Sequence, residues 1–397
     1  MVRTALQIPD EYTAALCARF EFDLSGQSLA TRIGKAYIAR KAEIVSRIGE
    51  GLTRNRTDFL ASGYLRNKEI REAYMLYYMT TNLLKVISPL RELSVSHFFE
   101  QHSPLRILDL GTGTGSAIWG LVSFFLSENI QYPGEIVFTD SLAENLLEAE
   151  NFSRYFFQQF PGASPHLTFE KFDLRKPDEI PEKIKASKPY HLIMMMNVVN
   201  ELDEADDGRL MEMLMSLLDE NGAAMIIEPA TRAESRRLLR FRDLAVKFGA
   251  TVYSPCTRQE GCPALIKGDD WCHTEVAWER PGFIKAIDEL TGMLRLSLKY
   301  TYFILRKDGI TLSDSMTQNN LYRIVSERFD EKGRVRAYLC GQNGRYEHII
   351  NKRDISETNR DFAEIKRYDV VRLEGSQVRE HDIRIPKDAK FSIMLPI

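Results

Sequence analysis

Two stretches of this sequence carry residues whose types and spacing could do chemistry. The first is Ile107-Leu108-Asp109-Leu110-Gly111-Thr112-Gly113-Thr114-Gly115. A short apolar run of strand character leads into it and a helix-length segment follows, which is the context a nucleotide-binding glycine loop requires. Glycines let the backbone turn sharply and approach a ligand where a Cβ would clash. The dinucleotide pattern asks for a glycine five positions after the first, and that position is Ser116, which counts against NAD. The second stretch is Ser254–His273, a polar segment rich in Gly, Pro and Asp that holds Cys256, Cys262 and Cys272, three of the five cysteines in the chain.

Glycine at every second position behind Asp109 resembles motif I of S-adenosylmethionine-dependent methyltransferases. Two further carboxylates fit that reading. Asp140 ends the second strand-like run, where an acidic side chain can accept ribose hydroxyls. Asp173 follows the third run, where the resemblance places a contact to the adenine amino group. Asp109, Gly111, Thr112, Gly113, Gly115, Asp140, Asp173 and Asn197 are therefore the expected cofactor-binding residues. Asn197, Asn200 and Glu201, after the fourth run, could line the acceptor side, or Asn200 and Glu201 could cap the helix that starts near Asp203. The fourth run lacks the Asn-Pro-Pro-Tyr-like ending used to methylate amino nitrogens on bases. The Pro-Cys pair at Cys256 follows the fifth run, not the fourth, so it does not match the nucleophile of cytosine-5 RNA enzymes. No catalytic residue is assigned.

Cys256, Cys262 and Cys272 are separated by five and nine residues, neither of which is the short knuckle of structural zinc. Irregular loop spacing completed by a remote thiolate is an iron–sulfur style of ligation. Cys340, at a strand end followed by Gly341, is one candidate for the fourth ligand. His273 is the other, though its adjacency to Cys272 makes good geometry on one metal difficult. Cys17, in Ala14-Ala15-Leu16-Cys17-Ala18, reads as a small core residue.

Pro255-Cys256, Gly261-Cys262-Pro263, Asp270-Trp271-Cys272-His273 and Leu339-Cys340 together resemble the signature of the mitochondrial small-ribosomal-subunit methyltransferase-like family and its bacterial relatives. The resemblance spans roughly residues 60 to 370 and includes Ile227-Glu228-Pro229-Ala230-Thr231, where the family usually has glycine at position 230. Thr257 to Glu260 replace the family's Pro-His-Asp stretch, and Thr274 replaces its Phe. What the resemblance implies is a [4Fe–4S] cluster on Cys256, Cys262, Cys272 and Cys340, with zinc as the alternative metal. It also implies a class I methyltransferase fold that acts on, or only binds, the small ribosomal subunit and its RNA.

These residues need elements to position them. Residues 1–95 repeat apolar side chains at spacings of three and four and are expected to form a helical domain. Tyr74, Met75, Tyr77 and Tyr78 read as a core stripe that could also touch a ligand. From Leu105, buried-strand runs alternate with helical segments, which predicts an α/β fold with a mainly parallel, doubly wound, Rossmann-like sheet covered on both faces. The expected divisions are a cofactor-binding domain over 96–252, a cysteine-rich insertion and end of the sheet over 253–317, and a small β unit over 318–397. A length of 397 residues, 44% hydrophobic and 27% charged, is that of a globular protein with proper cores. A net charge of −3 excludes a globally basic nucleic-acid binder but not a local basic face.

Two such faces stand out. Arg232, Arg236 and Arg240 recur at helical spacing beside the cysteine stretch and could neutralise phosphates. The basic C-terminal unit, with Arg323, Arg334, Arg336, Arg345, Tyr338 and Tyr346, could stack on unpaired bases. The alternative for each is a solvated surface. Small-subunit ribosomal RNA is the expected partner, with no membrane contact. The start lacks the apolar run of a signal peptide and an arginine-rich transit segment, so a cytoplasmic location is expected. Three readings stand: an rRNA methyltransferase, a non-catalytic assembly factor with the same fold, and a methyltransferase for a small molecule or protein with a structural metal site.

Overall fold

A computed structural model describes residues 5–54, 56–130, 134–159 and 165–396. Residues 1–4 and 397, at the ends of the expected helical and C-terminal domains, and Phe160, at the end of an expected helix, lie outside the described residues.

The larger sheet is built from β1 (Leu6–Gln7), β2 (Arg106–Leu110), β3 (Glu135–Asp140), β4 (His166–Lys171), β5 (Tyr190–Met196), β6 (Leu218–Pro229), β7 (Thr251–Ser254), β8 (Thr274–Glu279) and β9 (Ser297–Arg306). Their order is β1-β8-β9-β6-β5-β2-β3-β4, with β7 also on β9. The five strands β4-β3-β2-β5-β6 are parallel, and β9 closes onto β6 antiparallel. The apolar runs alternate between two cores. Ile107, Ile136, Leu192 and Met225 face one; Leu108, Val137, Ile193 and Ile226 face the other. Burial on both faces is why these strands read as unbroken apolar runs. The helices Ser116–Ser127 and Ala143–Gln158 contribute to the first core, and Asp207–Leu217 and Arg232–Lys247 to the second. The fold is α/β and Rossmann-like, as the alternation predicts.

The N-terminal helices join the first core. Glu148 on the helix Ala143–Gln158 receives the Arg19 guanidinium at 2.7 and 2.9 Å and Arg71 at 3.3 Å, tying two N-terminal helices to the sheet layer. Met75, Tyr77 and Tyr78 lie in a π-helical turn, Met75–Met79, and are buried. Tyr74, one residue earlier, is only half-buried.

After β9 the chain forms a second sheet from β10 (Leu321–Ile324), β11 (Phe329–Asp330), β12 (Arg334–Gly341), β13 (Gly344–Asn351), β14 (Val370–Glu374), β15 (Gln377–Val378), β16 (Ile383–Arg384) and β17 (Lys390–Leu395). Its order is β15-β16-β13-β12-β10-β14-β17, with β11 on β12, around its own core of Ile324, Leu339, Ile350, Val371 and Phe391. The two sheets meet at a buried ion pair, Arg323 of β10 to Glu92 of the helix Ile87–Ser94, at 2.6 Å. The Glu92 carboxylate also accepts the Tyr302 hydroxyl at 2.8 Å. Arg323 donates further to the Pro255 carbonyl at 2.9 Å and the Tyr368 carbonyl at 2.8 Å. A buried ion pair of this kind is costly to break from one side, by about 3–5 kcal/mol, because the remaining charge is left uncompensated.

No helix among the described residues is long and apolar enough to cross a membrane.

Candidate functional site

The chain runs from β2 to β3 on one side of β2 and returns as β5 on the other, so a crevice opens beyond the carboxyl ends of these strands. There a cleft of about 540 Å³ is lined by Asp109, Gly111, Thr112, Gly113, Asp140, Asp173 and Asn197. Gly115 stands just behind it as the first turn of the helix Ser116–Ser127 begins.

The loop is shaped by its own carboxylates. Asp109 accepts the Thr112 hydroxyl at 2.5 Å. Asp140 accepts the Gly113 amide at 2.9 Å, the Leu142 amide at 2.8 Å and the Asn145 carboxamide at 3.2 Å. Gly113 has φ 55° and nothing within 4 Å of where a Cβ would stand, so the bare backbone borders open cleft. Gly115 has φ 91°, and a Cβ there would stand 2.5 Å from the Trp119 indole.

Asp173 differs from the expectation in one respect. Its carboxylate is forked by Arg175, with Nε and Nη2 each at 2.8 Å, and this pairing holds its pKa below the usual carboxylate range. Of its lone pairs, few remain for a ligand.

Burial pushes the other carboxyls the opposite way. Asp109 is raised to about 7, and Asp140 is raised despite its amide donors. Glu201, which the cleft exposes but protein atoms surround, is raised to about 7. Behind the cleft, Glu228 of β6 is buried and raised to about 8. Its Oε1 accepts the amides of Val198 and Val199 at 2.9 and 2.8 Å. That grip, with Asn197 at φ 60° and its amide on the Ile227 carbonyl at 2.8 Å, sets the turn carrying Asn197, Asn200 and Glu201 into the lining. Glu228 belonged to a recognised family stretch, but its role shows only in this contact. Arg56, Tyr64, Arg66 and Tyr74 also line the cleft. Of these only Tyr74 had been considered, because a wall supplied by another layer leaves no local spacing.

A second cavity, of about 30 Å³, is lined by Cys256, Cys262, Cys272 and Cys340 with Arg242, Arg258, Arg323, Arg345 and Tyr368. His273, the rival fourth ligand, is not in this lining. Cys17 packs half-buried against the main core. Burial raises the thiols of Cys256 and Cys262, and pushes Cys340 up to about 12. Among the described residues, no group of three or more His, Cys, Asp or Glu is arranged to hold a metal ion. The four cysteines thus border one space without gripping a single point in it.

The cysteine loop is held by two arginines, of which Arg236 belongs to the stripe expected to meet phosphate. Arg236 donates to the carbonyls of Ala264, Lys267 and Asp270 at 3.0, 2.7 and 2.7 Å. Arg242 donates to Gln259 and Glu260 at 3.0 and 2.7 Å, and to Arg258. Arg240 forks onto Glu204. Of the expected stripe, Arg236 is spent inside the protein and Arg240 is paired, while Arg232 is exposed at the helix start. The helical period wraps arginines around the helix, so Arg237 and Arg242 point inward. From the second sheet, Arg345 pairs with Asp270 at 2.6 Å, and the Thr257 hydroxyl donates to the Cys340 carbonyl at 3.2 Å.

A family model described as mitochondrial small ribosomal subunit Rsm22 matches residues 68–364. No curated protein matches the chain. Among solved structures, it is similar to magnesium protoporphyrin IX methyltransferase from Synechocystis with bound SAM, at 10% identity and TM-score 0.36 over 63% of this chain and 96% of that one. It is also similar to the plantazolicin methyltransferase BamL in complex with a substrate analogue and SAH, at 13% identity and TM-score 0.35 over 69% of this chain and 99% of that one.

Proposed function

The chain belongs to the mitochondrial small ribosomal subunit Rsm22 family, and on that premise we propose that it binds S-adenosylmethionine in the glycine-loop cleft and acts on RNA of the small ribosomal subunit as a methyltransferase. The observation that carries this reading is the charge of the cleft. Asp109, Asp140 and Glu201 line it together with Arg56, Arg66 and Arg175, Glu228 lies behind it, and burial disfavours the ionised form of these four carboxyls. A sulfonium cation relieves that cost, whereas a dinucleotide pyrophosphate adds to it. Gly113 offers open backbone for close approach, and Asp140 Oδ2, which accepts the Gly113 amide, keeps a lone pair for one ribose hydroxyl. The bound donor supplies an activated methyl group; the chain's residues bind it, orient it and shield it from water.

We propose further that Cys256, Cys262, Cys272 and Cys340 hold a [4Fe–4S] cluster. One zinc ion needs all four sulfurs about 2.3 Å from one centre, whereas a cluster takes each thiolate at a separate iron. What supports a shared metal centre is that the four thiols line one cavity; the choice of cluster over zinc rests on the loop spacing and the family resemblance. Binding would displace their protons, and the guanidiniums of Arg242, Arg258, Arg323 and Arg345 would balance the resulting negative charge.

The RNA surface is assigned to Arg232 and the second sheet. There Tyr346 is 46% exposed, Arg345 lies 5.5 Å over the Tyr338 ring, and Arg336 lies 4.4 Å over Phe329. Guanidinium–aromatic pairs of this kind suit unpaired bases.

The deciding experiment is calorimetry with S-adenosylmethionine beside crosslinking and sequencing of bound RNA in cells. Donor binding with small-subunit RNA supports the reading. RNA without donor binding favours the non-catalytic assembly factor, and donor binding without RNA favours a small-molecule or protein acceptor. A cytoplasmic site of action is part of the same proposal and is checked by fractionation.

A further inference from the structure

Part of the cleft lining comes from 56–74 of the N-terminal layer and from the turn 197–203 after β5. Tyr64 and Tyr74 stand there with ring centroids 6.4 Å apart at 63°. Each is braced from behind, Tyr64 by Phe59 stacked at 4.4 Å and Tyr74 by Tyr78 at 5.5 Å. A rigid aromatic wall of this kind accepts a planar ring.

Beside it, both ends of the Asn200 carboxamide are buried with no protein hydrogen-bond partner among the described residues. Each such group costs about 1–3 kcal/mol when left unpaired, so the side chain calls for a partner entering through the cleft it lines. Its neighbour Glu201 has its carboxyl among Arg56, Arg175 and Asp140, and it interacts with the Tyr64 and Tyr74 hydroxyls and with Glu228. Arg56 and Arg175 favour its ionised form and Asp140 opposes it.

We propose that Asn200 and Glu201 form the acceptor subsite for a planar ring bearing an N–H beside a carbonyl, the edge shown by uracil and guanine, with Glu201 as the proton acceptor. The inference rests on the methyl-donor reading of the same cleft. Asn200 Nδ2 donates to the ring carbonyl, and the Glu201 carboxylate accepts the ring N–H. As the N–H bond breaks, its proton passes to Glu201 and its electron pair stays on the ring nitrogen. That nitrogen forms the bond to the methyl carbon as the carbon–sulfur bond of the sulfonium breaks, leaving a neutral thioether. One positive and one negative charge disappear together, so the balance closes. A lactam N–H is acidic enough for a carboxylate to take. The exocyclic amines of adenine and cytosine are much poorer proton donors, and the turn Asn197-Val198-Val199-Asn200 lacks the proline and aromatic residues that serve them.

The test uses the full chain, a tritiated methyl donor and short single-stranded RNAs made of A and C alone or carrying U or G. Label is expected in the strands with U or G, on the ring nitrogen after digestion. The wild-type rate should rise with pH through about 7, where Glu201 ionises, and then level off. At saturating donor, Glu201→Gln should lower the rate by at least about 100-fold and abolish the pH rise. Asn200→Ala should lower kcat/KM about tenfold, the loss expected of a hydrogen bond to a group gaining charge. Label confined to A and C strands, no label while the donor binds, or an unaltered Glu201→Gln rate each overturns the inference alone. Absence of donor binding overturns the reading it stands on as well.

Discussion

The glycine-loop cleft gathers carboxyls, with Asp109, Asp140 and Glu228 buried and Glu201 open to the cleft. The cysteine cavity gathers guanidiniums, with Arg242 and Arg323 buried and Arg258 and Arg345 half-buried. The cleft is wide and bordered by successive strand ends of one sheet, whereas the cavity is small and closed by residues from both sheets. The contrast teaches that each site is tuned by burial toward an opposite partner. Burial disfavours ionising Asp109, Asp140 and Glu228. At the cysteine cavity, guanidiniums already paired with carboxylates, Arg323 with Glu92 and Arg345 with Asp270, face thiols that burial keeps neutral. Each arrangement costs free energy that a ligand of the right sign offsets.

The sharpest way to break this contrast is at the joint. Arg323→Ala leaves Glu92 buried without its partner and is expected to destabilise the protein by about 3–5 kcal/mol in chemical denaturation. It should also impair the cysteine cavity while the isolated loop contacts of Arg236 persist. A change near zero would mean that the two sheets do not depend on each other.

Independence of the two sites is tested next. Cys340→Ser should reduce iron in anaerobically purified protein from about four per chain toward none, with donor affinity changed less than about twofold. Zinc at one per chain in the wild type, with no iron, would reject the cluster. Conversely, Gly113→Arg should weaken the donor at least about 30-fold by filling the open backbone face, and leave iron content unchanged. Loss of both together would show that the sites are one cooperative unit.

The charge argument makes a pH prediction of middle size. The folded pKa values of Asp109, Glu201 and Glu228 lie above those of the unfolded chain. As pH rises from the unfolded values near 4 to about 8, the unfolded state releases protons first, so the ligand-free protein loses stability. A bound sulfonium offsets that loss. Donor affinity should therefore tighten about tenfold between pH 6 and pH 8, one unit of linkage, and the donor's thermal shift should grow over the same range. A flat profile would remove the carboxylates from donor binding.

The smallest effect is expected at Asp173→Ala. Because Arg175 already occupies that carboxylate, donor affinity should fall less than about threefold in titration. A loss beyond tenfold would show that the ion pair opens for the ligand.

Much of the fold was legible along the chain because its signals are local. Short, mainly apolar runs at 106–110, 135–140 and 190–196 announce strands buried on both faces, and the glycine alternation after β2 marks a turn that only glycine tolerates at Gly115, against Trp119. The order in which Asp109, Asp140 and Asn197 appear follows the order of parallel strands, so chain order sufficed to gather them. The four cysteines were recognisable from their sequence words, and they do border one cavity.

What the sequence by itself determined is thus the layered α/β fold, the family and the residues that converge within one sheet. The tertiary structure alone decided how the charges are used. Arg236 and Arg240 belonged to the expected phosphate stripe, yet Arg236 holds the cysteine loop and Arg240 pairs with Glu204. Glu92 and Arg323, 231 positions apart, carry no signal of each other. Arg56, Tyr64 and Tyr74 enter the cleft from a different layer. The physical reason is range: periodicity and loop chemistry are set by neighbours within a few residues, whereas the partner of a buried charge is set by what packing brings within hydrogen-bond distance.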